Sequence, residues 1–508
     1  DTCLILMDVA KAFDRVDRVI MSYRLLLLGV RGKLLEAVIS FFMTRQHQTR
    51  VNDSVSDFIQ VDRGVPQGGV LSLLCFLIYM NTVTDVTTRT EPFLFVDDLS
   101  LISSSDKPRV LTSDIQDDFK EIYKWSRQNH MVFDSSKFKI VNIGTKRLQS
   151  YNREKITYGG KSVDWERSTR LLGATFDIHL NFLPQIRNTT ESISDNCWKL
   201  YCHSHYRTGT NTHTLLRILD SYLQPKFTYG SNLWIFQAFP EIRLDIKPKR
   251  PYGTAYAELS RSYCQLLSAC AASRKHTGFR AIQVRLGRLP LHYLIGFYAM
   301  CDFHAIIHEH TTLTMKEHLL SFKNDPTWST CIFYKPAQDN ITYFSKFTDD
   351  GNLLNIRSKE RFKLALREAM FRELTTQWET NLLSRTTFRI VPKWQPRDFL
   401  EHTMSKEAEG YYIRCSFANN DTRSSRARFS ETDFPTTCLR CQQADETVQH
   451  VFLECPKLQP YRNKLFSKLK QHHPKIKINL TTLLTRTEFQ YYTIQYIQSI
   501  LNIPFPKK

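Results

Sequence analysis

The sequence predicts an α+β fold, in which helices cover one face of a mainly antiparallel sheet, and three observations carry that expectation. Short apolar runs of strand length recur at Leu4-Ile5-Leu6-Met7, Phe93-Leu94-Phe95-Val96, Leu99 to Ile102 and Ile140 to Ile143. Segments with helix-period apolar positions lie between them. The second and third runs are separated only by Asp97-Asp98, which reads as strand, acidic turn, strand, and a tight reversal makes neighbouring strands antiparallel.

Taken in order, the run at Leu4 reads as a fully buried strand. Lys11 to Leu28 carries helix-period apolar positions and ends at Gly29, a residue type that caps helices. Arg50 to Asp62 alternates loosely, as in a hairpin, before the turn Gly64-Val65-Pro66-Gln67-Gly68-Gly69. A buried helix is expected from there through Met80. Pro92 opens the next strand. Ser113 with Gln116 has capping-box spacing and is expected to start a helix with Ile115, Phe119, Ile122 and Tyr123 on one face. Val132-Phe133 and Ile140 to Ile143 return to strand. Phe182 to Ile307 is mostly helical in pattern, 308–430 is polar and irregular, and 431–508 holds a cysteine cluster and a basic tail without aspartate after Asp445.

The 508 residues are 42% hydrophobic and 23% charged, the composition of a globular protein long enough for about three domains. The longest nearly apolar run, Val70 to Met80, is far short of the ~20 residues a membrane helix needs, so no membrane partner is expected. Asp1 falls inside the first strand, and the natural N-terminus is expected upstream of it. A net charge of +19 favours polyphosphate partners, because cationic side chains gain by displacing condensed counterions. Most of the twelve cysteines are scattered through apolar or helical contexts, as reduced core thiols are, and no secretory signal accompanies them.

Asp8 ends one buried strand, and Asp97 and Asp98 sit at the tip of a hairpin able to lie beside it. Adjacent carboxylates repel by ~4 kcal/mol at 4 Å and an effective dielectric of 20, so such a pair implies a cation or solvent nearby. Phosphoryl transfer to a nucleic-acid strand needs two hard divalent cations held by such carboxylates. A solvated Asp-Asp turn is the competing explanation, and the wider wording of the sequence separates the two.

Leu6-Met7-Asp8-Val9-Ala10-Lys11-Ala12-Phe13-Asp14 resembles motif A of retroelement reverse transcriptases. Arg63-Gly64-Val65-Pro66-Gln67-Gly68, followed by Ser72 and Phe76-Leu77-Ile78-Tyr79, resembles motif B. Phe95-Val96-Asp97-Asp98 resembles motif C, Trp125 with Lys137 motif D, and Arg170-Leu171-Leu172-Gly173-Ala174-Thr175 motif E. The wording Lys11-Ala12-Phe13-Asp14, with Tyr229-Gly230-Ser231-Asn232-Leu233-Trp234, is similar to the LINE-type (non-LTR) branch. Two departures are Leu73, where the family has proline, and Phe133-Asp134-Ser135-Ser136-Lys137, where it has Asn-x-x-Lys.

The resemblance implies a right-hand polymerase palm at 1–185, a helical thumb and connection at 186–310, an unassigned region at 311–430 and a zinc module with a basic tail at 431–508. It implies Asp8 and Asp97 as primary Mg²⁺ ligands, Asp98 as a second-line carboxylate, and the Val9 carbonyl as a further ligand. Two Mg²⁺ ions are expected, with Mn²⁺ as the alternative. Phe13 would occlude a ribose 2′-hydroxyl, Gln67 and Gly68 would approach the incoming nucleotide, and Lys137 would protonate pyrophosphate. As ordinary residues these are a core aromatic, a tight turn and a surface lysine.

Cys438-x2-Cys441-x8-His450-x4-Cys455 supplies three thiols and an imidazole in the spacing of a closed tetrahedral zinc site, structural rather than catalytic. Its surroundings, Glu446 to His450 and Glu454-Cys455-Pro456, also resemble the zinc motif that closes many LINE-type polyproteins. Arg423, Arg426, Arg428 and Arg440 could add phosphate contacts. Thr348-Asp349-Asp350-Gly351 reads as a surface turn rather than a nuclease carboxylate.

The function implied is an RNA-directed DNA polymerase that extends a DNA primer on an RNA template, in target-primed reverse transcription. Its partners would be RNA template, DNA primer or target, and deoxynucleoside triphosphates. The expected place is intracellular, the nucleus for integration or a cytoplasmic ribonucleoprotein. The competing readings are an inactive nucleic-acid-binding remnant lacking fingers and, disfavoured by Phe13, an RNA-dependent RNA polymerase.

Overall fold

A computed structural model describes residues 2–43, 45–144, 155–205, 208–243, 247–250, 252–274, 277–308, 334–349, 351–380, 391, 393–395, 397–399, 405–417, 420–428, 430 and 434–503. The chain divides between Pro184 and Gln185 into two compact units.

The first unit is built on strand β1 (Thr2–Met7). The next four strands are short: β2 (Gln46–His47), β3 (Arg50–Val51), β4 (Ser54–Val55) and β5 (Ile59–Gln60). They pair as one exposed ribbon whose tip, Asn52, has φ 52°. Strands β6 (Glu91–Phe95), β7 (Asp98–Ser104) and β8 (Lys139–Ile143) join β1 in a four-stranded antiparallel sheet of order β6-β7-β1-β8. Two hairpins follow, β9 (Ile156–Tyr158) with β10 (Lys161–Val163), and β11 (Ser168–Leu171) with β12 (Ala174–Asp177).

The period of two sorts β1 into two faces. Cys3, Ile5 and Met7 enter the hydrophobic core together with Leu99 and Leu101 of β7. Leu4, Leu6 and the following Asp8 therefore project from the other face.

Helix α1 (Ala12–Arg15) stops after one turn, and α2 (Arg18–Leu27) starts afresh. The sequence pattern suggested one continuous helix here. Asp17 divides it: its carboxylate accepts the N–H groups of Val19 at 3.0 Å and Ile20 at 3.2 Å, an N-cap that favours extended backbone at its own position. Gly29 closes α2 at φ 88°, as expected of a residue just past a helix end. After α3 (Gly32–Met43), α4 (Val70–Asn81) buries Cys75, Phe76, Tyr79 and Met80. Leu73 donates its N–H to the Gly69 carbonyl at 3.2 Å, a bond that proline at this position would lose.

Helix α5 (Pro108–Gln128) begins six residues before the capping-box spacing suggested, with Pro108 in its first turn. Gln116 is inside the helix, and its amide exchanges two 2.8 Å hydrogen bonds with the Thr157 backbone, clamping β9 onto α5. Leu111, Ile115, Phe119, Ile122 and Trp125 form the buried stripe; Tyr123 sits on its rim, edge-on to Tyr158. Full burial of a side chain such as Phe119 is worth ~1.5–3 kcal/mol, which outweighs the indifferent propensities of this polar helix.

The second unit is helical. Within 308–430, which carried no assignable pattern, the described residues form helices Tyr334–Ser345, Lys359–Thr380, Lys406–Arg414 and Arg423–Ala427. The first two pack against Leu291–His308. Buried Glu409 accepts the Thr212 N–H, and the Trp394 indole N–H reaches the Arg288 carbonyl, so sequence-distant segments share one core. No helix among the described residues is long and apolar enough to cross a membrane.

Candidate active site and metal centre

Antiparallel pairing matches Met7 with Leu99, and the same register carried one residue further sets Asp8 level with Asp98 on the face away from the core. Phe95 pairs with Asp98, leaving Val96 and Asp97 as a two-residue turn. Val96 has φ 59°, an uncommon conformation for a β-branched residue and a local strain at the hairpin tip. The turn thus delivers two carboxylates beside the end of the central strand. Burial, then the charges of Asp97 and Asp8, push the Asp98 carboxyl above its ordinary pKa.

Asp8 is half-buried and takes a 2.7 Å ion pair from the Lys137 ammonium. This contact, led by the hydrogen bond itself, raises the Lys137 pKa. The 3-10 turn Ser135–Lys137 that carries the lysine is capped by Asp134, whose carboxylate accepts the Ser136 N–H at 3.1 Å and hydroxyl at 2.6 Å. Those two bonds lower the Asp134 pKa. The Asp134 N–H also donates to the Asp8 carbonyl at 3.0 Å, tying the turn to the strand end. Asp134 was not singled out from the sequence, although it occupies the asparagine position of the Asn-x-x-Lys spacing. Buried Val9 bridges Phe133 in the same junction.

The donor set is all carboxylate oxygen, suited to a hard cation such as Mg²⁺. Among the described residues, however, Asp8, Asp97 and Asp98 do not gather their oxygens into a closed cluster. The Asp8 carboxylate is instead engaged by the Lys137 ammonium.

Phe13 is part-buried with its ring stacked on Phe76 at 4.5 Å, so core packing fixes its position. Its carbonyl accepts the Val65 N–H at 2.9 Å, and Val16 accepts the Gly64 N–H at 2.8 Å. Gly64 has φ 80°, and a Cβ there would lie 2.8 Å from Asp14 Cα and Phe13 O. Arg18, 4% exposed, ties down the same loop by donating to the carbonyls of Gly64 at 3.2 Å and Arg63 at 3.1 Å. Its burial gave no sequence signal, since arginine at a helix start reads as solvated. Gln67 and Gly68 are exposed, with the Gln67 amide 3.4 Å from Asp14. At motif E, Leu172 (φ 46°) and Gly173 (φ 85°) form the two-residue turn joining β11 and β12.

In the second unit, Cys438, Cys441, His450 and Cys455 place their ligand atoms all within 4.8 Å of one another. They are the only such group among the described residues. Tetrahedral zinc with bonds of ~2.0–2.3 Å holds its ligands roughly 3.3–3.8 Å apart, so a small inward adjustment would close the set. Cys441 Sγ already lies 3.3 Å from His450 Nε2. The first pair sits on a tight turn, where Cys438 accepts the Gln442 N–H at 2.8 Å and donates to Ala444 at 2.8 Å. The second pair is joined by the Cys455 N–H bonding His450 O at 2.7 Å. Tyr496 and Arg462 anchor this segment through the Val451 and Cys455 carbonyls. Burial pushes the Cys455 thiol up to about 11.

Of the arginines noted nearby, Arg440 is largely buried, 3.6 Å from Glu446, whereas Arg426 and Arg428 are exposed. Asp349 is exposed and paired with Arg372; Asp350 lies outside the described residues.

The family model for "Reverse transcriptase (RNA-dependent DNA polymerase)" matches residues 1–176. The chain is 23% identical over 232 residues to the probable RNA-directed DNA polymerase from transposon X-element of Drosophila melanogaster, 45% of this chain and 25% of that protein. It is 23% identical over 235 residues to the RNA-directed DNA polymerase from mobile element jockey of the same organism, again 45% and 25%. The alignments span a quarter of the length of these curated relatives. Residues 1–176 thus match the reverse transcriptase domain model, and the chain is similar to the RNA-directed DNA polymerases of two Drosophila mobile elements, which supports the LINE-type resemblance.

Proposed function

We propose that the chain is the polymerase part of a non-LTR retrotransposon protein, extending a DNA primer on an RNA template with deoxynucleoside triphosphates. The observation that carries this is the register of β1 with β7, which brings Asp8 to the level of the Asp97-Asp98 tip in a reverse transcriptase domain. Two divalent cations, Mg²⁺ or Mn²⁺, would supply activation of the primer 3′-hydroxyl and neutralisation of the triphosphate. Asp8 and Asp97 would hold them, with Asp98 and the Val9 carbonyl in support.

Lys137 is tethered through Asp134 within reach of Asp8, so its ammonium can exchange that carboxylate for a pyrophosphate oxygen and deliver a proton there. Phe13, braced by Phe76, would exclude a 2′-hydroxyl, and the Gln67-Gly68 loop would approach the nascent pair. Zn²⁺ in the Cys438, Cys441, His450, Cys455 set would stabilise the C-terminal module. The setting proposed is target-primed synthesis in the nucleus, with a cytoplasmic ribonucleoprotein as its precursor.

Primer extension on an RNA template tests the reading, with Asp97→Ala as control and ribonucleotides in a parallel arm. Deoxynucleotide incorporation that Asp97→Ala abolishes is expected. Retained nucleic-acid binding with no Asp97-dependent synthesis would favour the inactive-remnant reading, and preferential ribonucleotide incorporation the RNA polymerase one.

A further inference from the structure

The second unit holds a cavity of ≈ 780 Å³, well within the size range of small-ligand sites. It is lined from the Gly253–Cys270 helix end, the Lys406–Arg414 helix, the Arg423–Ala427 helix and the turn between Cys438 and Cys441. Five arginines line it against three carboxylates.

The arrangement of those charges is informative. Asp421, nearly buried, accepts Arg414 Nε at 2.7 Å and Arg274 Nε at 2.8 Å, so two guanidiniums share one carboxylate. Arg440 is matched separately by Glu446. Arg423 donates to the Pro435 carbonyl at 2.8 Å and lies 5.3 Å over the Phe434 ring, which fixes its guanidinium without neutralising it. Arg426 is exposed on the same wall and forms no ion pair among the described residues. The wall therefore carries preorganised, under-compensated positive charge, with Tyr201, Tyr411 and Phe434 offering aromatic surface.

Forked guanidiniums suit phosphate oxygens, and ring faces suit unstacked bases. A duplex is far too wide for an enclosure of this size. We infer that this cavity is a second nucleic-acid site, taking one phosphodiester and its unstacked base from a single strand threaded past the zinc-motif turn. It lies wholly in the second unit and does not depend on the polymerase reading.

The test uses the full chain with 12-nucleotide single strands, RNA carrying 4-thiouridine or DNA carrying 4-thiothymidine, photocrosslinked and mapped by mass spectrometry. Crosslinks at Tyr201, Tyr411 or Phe434 are expected in at least one arm, and the arms tell RNA from DNA. In the Arg423→Ala/Arg426→Ala variant their yield should fall about tenfold, and the logarithmic salt slope by about 0.7 for each phosphate no longer neutralised. The Arg423→Lys/Arg426→Lys variant should recover part of the yield and the circular dichroism of both should match the parent. Asp97→Ala should leave these crosslinks intact, which separates failure here from failure of the polymerase reading. Unchanged yield in the alanine variant, or crosslinks confined to residues 1–184, would each overturn the inference.

Discussion

Replacing Gly64 by alanine tests how tightly the loop carrying Gln67 is locked to the segment carrying Phe13 and Asp14. Gly64 has φ +80°, and an added Cβ would sit 2.8 Å from Asp14 Cα and Phe13 O, backbone atoms that cannot rotate aside. The left-handed conformation costs a non-glycine residue about 1–2 kcal/mol. Forcing backbone apart in a packed site adds about 1–3 kcal/mol. Gly68→Ala is the internal control: its φ of +86° carries the first cost, but nothing lies within 4 Å to impose the second. The expected losses are therefore about 2–5 kcal/mol for Gly64→Ala and about 1–2 kcal/mol for Gly68→Ala. Hydrogen exchange of peptides covering β1 and β7 reads the opening free energy of the first unit without requiring the whole chain to unfold in one step. Equal protection losses in the two variants, or a Gly64→Ala loss under about 0.5 kcal/mol, would refute the claim that this contact is tight.

Further expectations concern charge and metal. Asp118→Ala should destabilise the first unit by about 3–5 kcal/mol, because the buried carboxylate accepts the Thr88, Arg89 and Thr90 N–H groups and the Thr90 hydroxyl; exchange in the 88–95 segment checks it. Asp98→Asn should stabilise the fold near pH 7. The folded-state pKa of Asp98 is raised, so the parent loses stability as pH rises through it, and the advantage of the variant should vanish below the ordinary carboxylate pKa. Thermal melts at pH 3 and pH 7 read the difference. Chelation or Cys441→Ser should remove one zinc per chain and the exchange protection of Gln459–His472, and zinc retention should weaken as pH falls, because thiols must ionise to bind. Asp134→Ala should lower polymerase rate with little loss of stability, since its cap orients Lys137 at the surface; single-turnover kinetics separate the two.

The central architecture is written in short-range terms, and so it was legible. Apolar runs gave the sheet strands, the Asp97-Asp98 interruption gave the hairpin, and the cysteine spacing gave the quartet whose ligand atoms lie close together. What failed depended on local competition or on distant partners. Asp17 looked like one more helical residue, but its carboxylate captured two N–H groups and divided the helix. Ser113 and Gln116 had capping-box spacing, yet Gln116 was claimed by Thr157, 41 positions away. The helix Lys359–Thr380 was hidden by its charges, although Phe362, Leu366, Ala369, Leu374 and Trp378 all fall on its buried side. Arg18 and Asp118 are buried because backbone groups from other segments meet them, and no sequence window contains those partners.

The strand order also has a consequence for how the protein comes into being. Thr2 meets Ser104 on one side, 102 positions along the chain, and Ile143 on the other. During synthesis at about 5–20 residues per second, the apolar strand β1 waits on the order of 5–20 s for its first partner and longer for its second. Such non-local pairings close slowly and leave sticky edges exposed meanwhile. The carboxylate site therefore forms late, and the first strand needs shelter on the ribosome until β7 and β8 have emerged.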